Sequence, residues 1–328
     1  MPHQPLVPAA RRPESARSGI LLVDKSGGLT SHDVVARTRR LAGTRKVGHA
    51  GTLDPLATGL LVLGVNSSTR LLTYVVGLDK EYLATVRLGA ATTTDDSEGE
   101  PLGVSDAALV AGLDDAALRR AFATQVGSIV QVPSSVSAIK VDGQRAYARV
   151  RAGEDVVLAG RPVEIAEIEL LGDARREQTA DGHPVVDVDV RVVCSSGTYI
   201  RAIARDVGAA LGVGGHLTSL RRTRIGPFPV TAAHTLDELR AFTDEGSTLP
   251  LIDPADIARQ LFPVLEVTGA EATALGHGKR IPLPDAQGHG PLAAITPEGR
   301  LLGLVEIVAG QGKSIVNFPP DEYAGENA

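Results

Sequence analysis

In Gly48-His49-Ala50-Gly51-Thr52-Leu53-Asp54-Pro55-Leu56-Ala57-Thr58-Gly59-Leu60-Leu61, one carboxylate, Asp54, stands between a glycine-punctuated loop and a proline-started apolar segment. Gly48 and Gly51 permit tight backbone geometry and close approach by a ligand. Pro55 biases Asp54 away from the α region, which places it on a stiff turn with its side chain presented outward. Two roles suit that placement. Asp54 is a reactive carboxylate in a substrate cleft, or it is a helix N-cap with Pro55 at the first helical position.

Outward from this stretch, strands and helices mix without a regular βαβ rhythm. Ile20-Leu21-Leu22-Val23, within Gly19–Lys25, is a short apolar run that predicts a buried strand. Ser31 is expected to cap a helix to about Ala42, with Val34, Val35, Thr38 and Leu41 at helical spacing. Leu61–Val65 reads as a strand, Thr69–Leu78 as a short helix, and Lys80–Leu88 alternates as a strand does. Thr92–Pro101 is an acidic polar loop, Asp106–Thr124 one or two helices, Gly127–Lys140 an extended segment and Ala146–Ala152 a helix. Val163–Leu171 and Val185–Val193 alternate. Tyr199–Leu211 follows the Gly197 turn as a helix, and Gly214–Arg224 holds a turn and a basic segment. The pattern predicts an α+β fold with a mixed, largely antiparallel central sheet. Turn-rich sequence near Asp244–Pro254 suggests a boundary. Short apolar strands such as Leu292–Ile295 and Leu301–Val308 then suggest a small β-rich domain. The expected division is a tail over 1–18, a large domain over 19–250, a small one over 260–320 and a loose tail over 321–328.

Composition narrows the function class. A chain of 328 residues suits one large domain and a smaller one. Hydrophobic content of 43% and charged content of 22% are those of a soluble globular protein. Aromatic residues make up 3% and Trp is absent, so the core must come from Leu, Val, Ile and Ala. The single cysteine, Cys194, excludes an internal disulfide and a cysteine-based zinc cluster, and reads as a buried small hydrophobe. Met1–Ser18 lacks the apolar core of a secretory signal, and no apolar run approaches the ~20 residues of a membrane span. The expected location is the cytoplasm, without membrane attachment. The net charge of −6 argues mildly against nucleic acid. Two basic clusters, Arg37, Arg39, Arg40, Arg45, Lys46 and Arg201, Arg205, Arg221, Arg222, Arg224, still allow a basic face, or else ordinary solvated helix surface.

The Gly48–Leu61 stretch resembles the catalytic motif of the TruB family of pseudouridine synthases, G-H-x-G-x-L-D-P-x-A-x-G-x-L. Later segments match the same family in the same order, from about Gly19 to about Arg240. Gly197-Thr198-Tyr199-Ile200-Arg201 resembles its G-T-Y-I-R segment, and Gln131–Lys140 its Q-x-P-P-x-x-S-A-x-K, with Ser134 in place of the second proline. Asp24-Lys25-Ser26-Gly27-Gly28 lacks the proline of the family's Asp-Lys-Pro-x-Gly. Gly276–Pro282 resembles the start of a PUA-like RNA-binding domain; a generic small barrel is the plainer alternative.

The resemblance implies conversion of uridine to pseudouridine at position 55 in the T loop of tRNA. In this reaction the N1–C1′ bond breaks, the base turns, and the bond reforms through C5. No electrons enter or leave, so no redox cofactor is needed, and no metal is implied. The C1′ centre gains positive character, and a nearby carboxylate stabilises or traps it, as in glycosidases. The resemblance gives Asp54 this role, whether by attack at C1′, addition to the ring or removal of a sugar proton. It makes Arg201 its partner, with a phosphate contact as the alternative. Tyr82 becomes the aromatic face for a flipped base, or else an ordinary core aromatic. Tyr199 and Leu220 would line the same pocket, Leu220 having core leucine as its alternative. His49 would stack against flipped-out RNA or serve as a simple hydrogen-bonding residue. Lys25, Lys140 and Arg222 complete the expected substrate-binding set, with Tyr147 beside Lys140. The expected partner is the tRNA T arm, with no protein partner required. Rivals are a guide-dependent relative acting on another RNA, and a non-enzymatic RNA-binding protein.

Overall fold

Ile20, Leu21, Leu22 and Val23 are consecutive, apolar and all buried, because their strand has cover on both faces. Leu21 and Val23 join one core with Leu61, Leu63 and Val65. Ile20 and Leu22 join a second core with Leu60 and Val62. The computed structural model describes residues 17–134, 140–141, 144–145, 159–283 and 290–319. The expected helix at Ala146–Ala152, including Tyr147, and the C-terminal tail lie outside the described residues, as does nearly all of the N-terminal one.

The chain enters as strand β1 (Gly19–Lys25), helix α1 (Ser31–Leu41), β2 (Val47–His49) and β3 (Thr58–Val65). A 3-10 turn (Asn66–Leu71) and α2 (Leu72–Val76) lead to β4 (Lys80–Leu88). The hairpin β5 (Ala90–Thr92) and β6 (Pro101–Val104) precedes α3 (Ala107–Ala111), α4 (Asp115–Ala123) and β7 (Gly127–Gln131). A two-stranded piece, β8 (Lys140–Val141) and β9 (Gln144–Arg145), is followed by β10 (Arg161–Leu170), β11 (Arg175–Gln178) and β12 (Pro184–Cys194). Helix α5 (Ile200–Ala210), β13 (Gly215–Ile225), β14 (Phe228–Pro229) and α6 (Leu236–Asp244) complete the large unit. Its sheet runs β1-β3-β13-β4-β12-β10-β7. Every neighbouring pair along that path is antiparallel except β3 with β13. The fold is α+β with a mixed, largely antiparallel sheet, as the sequence predicts.

Three local expectations need correction. Thr30, not Ser31, caps α1, in a capping box closed by Asp33. The helix expected at Thr69–Leu78 is the 3-10 turn plus α2. Gly214–Arg224 is not a turn with a basic segment but the long strand β13, in the middle of the sheet.

Helix α7 (Pro254–Leu261), β15 (Val264–Glu266) and α8 (Gly269–Gly276) lead into β16 (Ile281–Pro282), β17 (Leu292–Ile295), β18 (Leu301–Val308) and β19 (Gln311–Asn317). These strands form a second sheet in the order β15-β17-β18-β19-β16. Ala293, Ile295, Leu301, Leu304 and Phe318 share the second core with Ile20, Leu22, Leu60 and Val62, and Ala255, Ile257 and Ala258 of α7 fill in beside them. The small unit is thus the cover for one face of β1 and β3.

Candidate active site

Asp54 is not a helix cap. Pro55 is followed by turn residues and then by β3, so no helix begins there. The loop is shaped by contacts to its main chain. The buried Ser31 hydroxyl donates to the Leu53 carbonyl (3.1 Å) and accepts from the Leu53 amide (2.9 Å). The Lys25 ammonium donates to the carbonyls of Ser26 (3.0 Å), Leu29 (2.8 Å) and Pro55 (3.2 Å). Arg222, fully buried, donates from Nε to Leu60 (2.7 Å), from Nη1 to Thr52 (3.3 Å) and from Nη2 to Gly51 (3.3 Å). Gly51 adopts φ +89°, which an L side chain resists. Gly48, by contrast, sits in β2 with no positive φ. These donors satisfy buried carbonyls on both sides of Asp54, which otherwise would cost stability.

The structure brings Asp54, Arg201, Tyr82, Tyr199 and Leu220 together around one cleft of about 270 Å³. Arg201 Nε lies 2.9 Å from Asp54 Oδ2, and the pair joins an exposed end to a buried one: the carboxylate side chain is 33% exposed, the guanidinium 5%. Arg201 Nη1 also reaches Asp96 Oδ2 at 3.3 Å and donates to the Thr94 carbonyl at 2.9 Å. A guanidinium held this way has little freedom, so the orientation of its Nε toward Asp54 is fixed. Tyr82 is buried, and loss of water pushes its phenol pKa up while the Arg222 guanidinium opposes the rise. Leu220 faces the cleft from β13 in register with Ala84.

Tyr199 is the N-cap residue of α5 without a side-chain cap. The buried side-chain amide of Gln131 makes two bonds to its main chain: Oε1 accepts from the Tyr199 amide (2.7 Å), and Nε2 donates to the Tyr199 carbonyl (3.0 Å). Gln131 therefore fixes the start of the helix that carries Arg201. The motif drew attention to Gln131 but gave no role. Asp96, Thr94 and Ser31 are further site residues that sequence reasoning missed; Asp96 lay in a stretch read as a solvated acidic loop.

Of the expected substrate-binding residues, Lys25 and His49 lie outside the cleft, and Arg222 lines it while bonding to the loop's backbone. Lys25 does not line the cleft: it is fully buried and all three of its donors meet carbonyls. Burial pulls its pKa down to about 8, against the attraction of Asp54. Arg222 reaches the cleft wall, but its described hydrogen bonds go to the motif's own backbone. His49 stands outside the cleft in edge contact with the exposed His32, ring centroids 5.7 Å apart, and burial lowers its pKa. Lys140 lies on β8, and its side chain lies outside the described residues. Lys80, not anticipated, lines the cleft with its ammonium donating to the Val76 (2.9 Å) and Leu78 (2.6 Å) carbonyls, and burial, aided by Arg222, lowers its pKa to about 8.

The second basic cluster is not a free basic face. Arg201, Arg205, Arg221 and Arg224 pair with Asp54, Asp95, Asp24 and Asp79 respectively. Arg37, Arg40, Arg45 and Lys46 of the first cluster are exposed on and after α1.

Comparison with known proteins agrees with this geometry. Residues 39–200 match the model for the TruB family pseudouridylate synthase N-terminal domain. Residues 201–260 match that for the tRNA pseudouridylate synthase B C-terminal domain, and residues 262–319 that for the tRNA pseudouridine synthase II C terminus. The chain is 57% identical over 309 residues to tRNA pseudouridine synthase B of Leifsonia xyli subsp. xyli (strain CTCB07), covering 94% of this chain and 98% of that protein. It is 52% identical to the protein of the same name from Arthrobacter sp. (strain FB24), covering 92% and 97%. In fold it resembles a chain of an H/ACA RNP bound to a substrate RNA containing 2′-deoxyuridine, with a TM-score of 0.66, 23% identity, and 93% and 86% coverage. With family models and curated relatives both matching along most of its length, this chain belongs to the TruB family of pseudouridylate synthases and is an enzyme of that family.

Proposed function

We propose that this enzyme converts uridine to pseudouridine at position 55 in the T loop of tRNA, and that it draws the target base out of the loop into the Asp54 cleft. The half-exposed Asp54 carboxylate, locked to a buried arginine at the mouth of a narrow cleft, carries the reading. The relatives named tRNA pseudouridine synthase B support the substrate class. A base inside folded RNA reaches such a cleft only when unstacked and turned out. Tyr82 and Leu220 then offer an aromatic and an apolar wall. Exclusion of water by these walls strengthens the Asp54–Arg201 attraction, and the guanidinium holds the carboxylate facing C1′. As the N1–C1′ bond opens, the carboxylate oxygen meets the positive character at C1′. The reaction then completes as the turned base bonds to C1′ through C5 and gives up its C5 proton, while the freed N1 takes up a proton, so that the product is an isomer of the substrate.

The expected partner is tRNA alone, gripped at the T arm, with the exposed Arg37, Arg40, Arg45 and Lys46 supplying phosphate contacts. Asp54→Asn should abolish pseudouridine formation and leave tRNA affinity within about threefold. Nucleotide-resolution mapping of pseudouridine in a bare T-arm stem-loop tests both substrate and site. Conversion at a normal rate by Asp54→Asn would end the catalytic assignment. A wild-type enzyme that needs a guide RNA to act would end the T-loop assignment.

A further inference from the structure

We propose that Arg205 and Asp95 are positioning residues for the reaction at Asp54: together they hold the turn that aims Arg201. This rests on the catalytic reading of Asp54 above and adds a second arginine, one helical turn on, to it. Arg201 and Arg205 are four residues apart on α5 and so share a face. Arg201 meets the carboxylate of Asp96 and the carbonyl of Thr94 on the same Nη1. Arg205 meets the residue between them: its Nη1 lies 3.3 Å from Asp95 Oδ2. It also donates from Nη2 to the Val132 carbonyl (2.8 Å) and from Nε to Asp206 (2.8 Å).

Asp95 has φ +60°, in the left-handed region that side chains other than Gly, Asn and Asp seldom adopt. That kink lets the acceptors on either side of it, Thr94 O and Asp96 Oδ2, converge on one guanidinium nitrogen. Its carbonyl accepts from the Leu217 amide (3.0 Å), tying the turn to β13 beside the cleft. The Asp95 side chain is 13% exposed. Burial raises its pKa, while the Ser134 hydroxyl and the guanidiniums of Arg205 and Arg201 oppose the rise. Ser134 is itself fully buried and stands where the family motif has its second proline, which would bring no hydroxyl. Charge and strained backbone therefore meet at one residue that lies outside the cleft.

The test combines single-turnover conversion of T-arm RNA, RNA binding, and amide hydrogen exchange of the RNA-free enzyme. Arg205→Met and Asp95→Gly should each slow conversion at saturating RNA tenfold or more, with affinity within twofold of wild type. Asp95→Asn keeps both a left-handed preference and an acceptor for Arg205, and should recover most of the rate lost in Asp95→Gly. The Arg205→Met/Asp95→Gly double variant should be no slower than the worse single one, because both break one tie. Without RNA, the Leu217 amide should exchange faster in Arg205→Met than in wild type. Wild-type rates in Arg205→Met, additive losses in the double variant, a loss confined to RNA affinity, or unchanged Leu217 exchange would each overturn the proposal. Should Arg205→Met not fold, the Asp95→Gly and Asp95→Asn comparison decides alone. A wild-type enzyme inactive on the T arm would sink the substrate assignment, and the exchange arm would still judge the Arg205–Asp95 tie.

Discussion

Asp54 owes its setting to cations that act on the backbone. Lys25 and Arg222 spend their donors on five carbonyls of the surrounding segments and one of β3, while Arg201 is the cation paired with the carboxylate among the described residues. Arg222→Met would leave three carbonyls without these donors, and the expected cost is about 3 kcal/mol or more, read as a fall in unfolding temperature; an unchanged temperature would show the clamp to be idle. Lys25 and Lys80 titrate near 8 in the folded chain against an ordinary 10.5. From about pH 8 to 10.5 the unfolded chain holds more protons, so each lysine contributes stability that rises with pH over that window and is absent below it. The melting temperature of wild type should therefore gain on that of Lys80→Met between pH 7.5 and 9.5; parallel curves would refute the linkage. At this scale the motif made the meeting of Asp54, Arg201 and Tyr82 around one cleft legible, because it fixes residue type and spacing together. It did not reveal that Lys25 and Arg222 hold the loop's own backbone, since a cation that grips RNA and one that grips its own backbone leave the same letter in a sequence. Asp96 was hidden for a similar reason, since acidic letters in a polar loop mostly mark solvation.

Strand β13 shows why one central element escaped sequence reasoning. Its inward positions include Leu217, Leu220 and Ile225, but also the buried Arg222, and two irregularities in pairing with β4 break the strict alternation. Period-two reading fails when a charged residue occupies an inward position and a bulge shifts the phase. Strands β1, β4, β12, β17 and β18 were legible because each holds an apolar run or a stretch of alternation. The parallel junction of β13 with β3 depends on Gly59, which has φ +98° and whose absent Cβ would lie 2.3 Å from the Arg222 carbonyl oxygen. Gly59→Ala should thus displace Arg222 and cost more than about 4 kcal/mol, seen as loss of soluble folded protein or a large drop in unfolding midpoint. A near-normal midpoint would mean that the two strands can part without harm.

On the scale of the whole molecule, the boundary expected near residue 250 marks a change of sheet but not a separation of cores. Ile20, Leu22, Leu60, Val62 and Leu71 depend on residues beyond it for part of their burial. With full burial worth roughly 2 kcal/mol for each of these five side chains, even half of it lost would remove about 5 kcal/mol, a large share of the net stability of a domain. A chain ending at residue 250 should therefore unfold or aggregate; a cooperative thermal transition matching that of the full chain would contradict this. The turn-rich sequence coincides with the change of sheet, yet nothing in it announced the shared core, because contacts between distant apolar residues carry no local pattern. The family match beginning at Arg201 shows the same entanglement, since that segment supplies both the partner of Asp54 and a middle strand of the large sheet. The contacts that shape the loop around Asp54 have one more consequence. Peptide oxygens look alike whatever residue bears them, so Ser31, Lys25 and Arg222 place no demand on which side chains occupy positions 52 and 56. Those sites are free to drift, or to be redesigned as new RNA contacts, while the geometry of the bend at Asp54 stays the same.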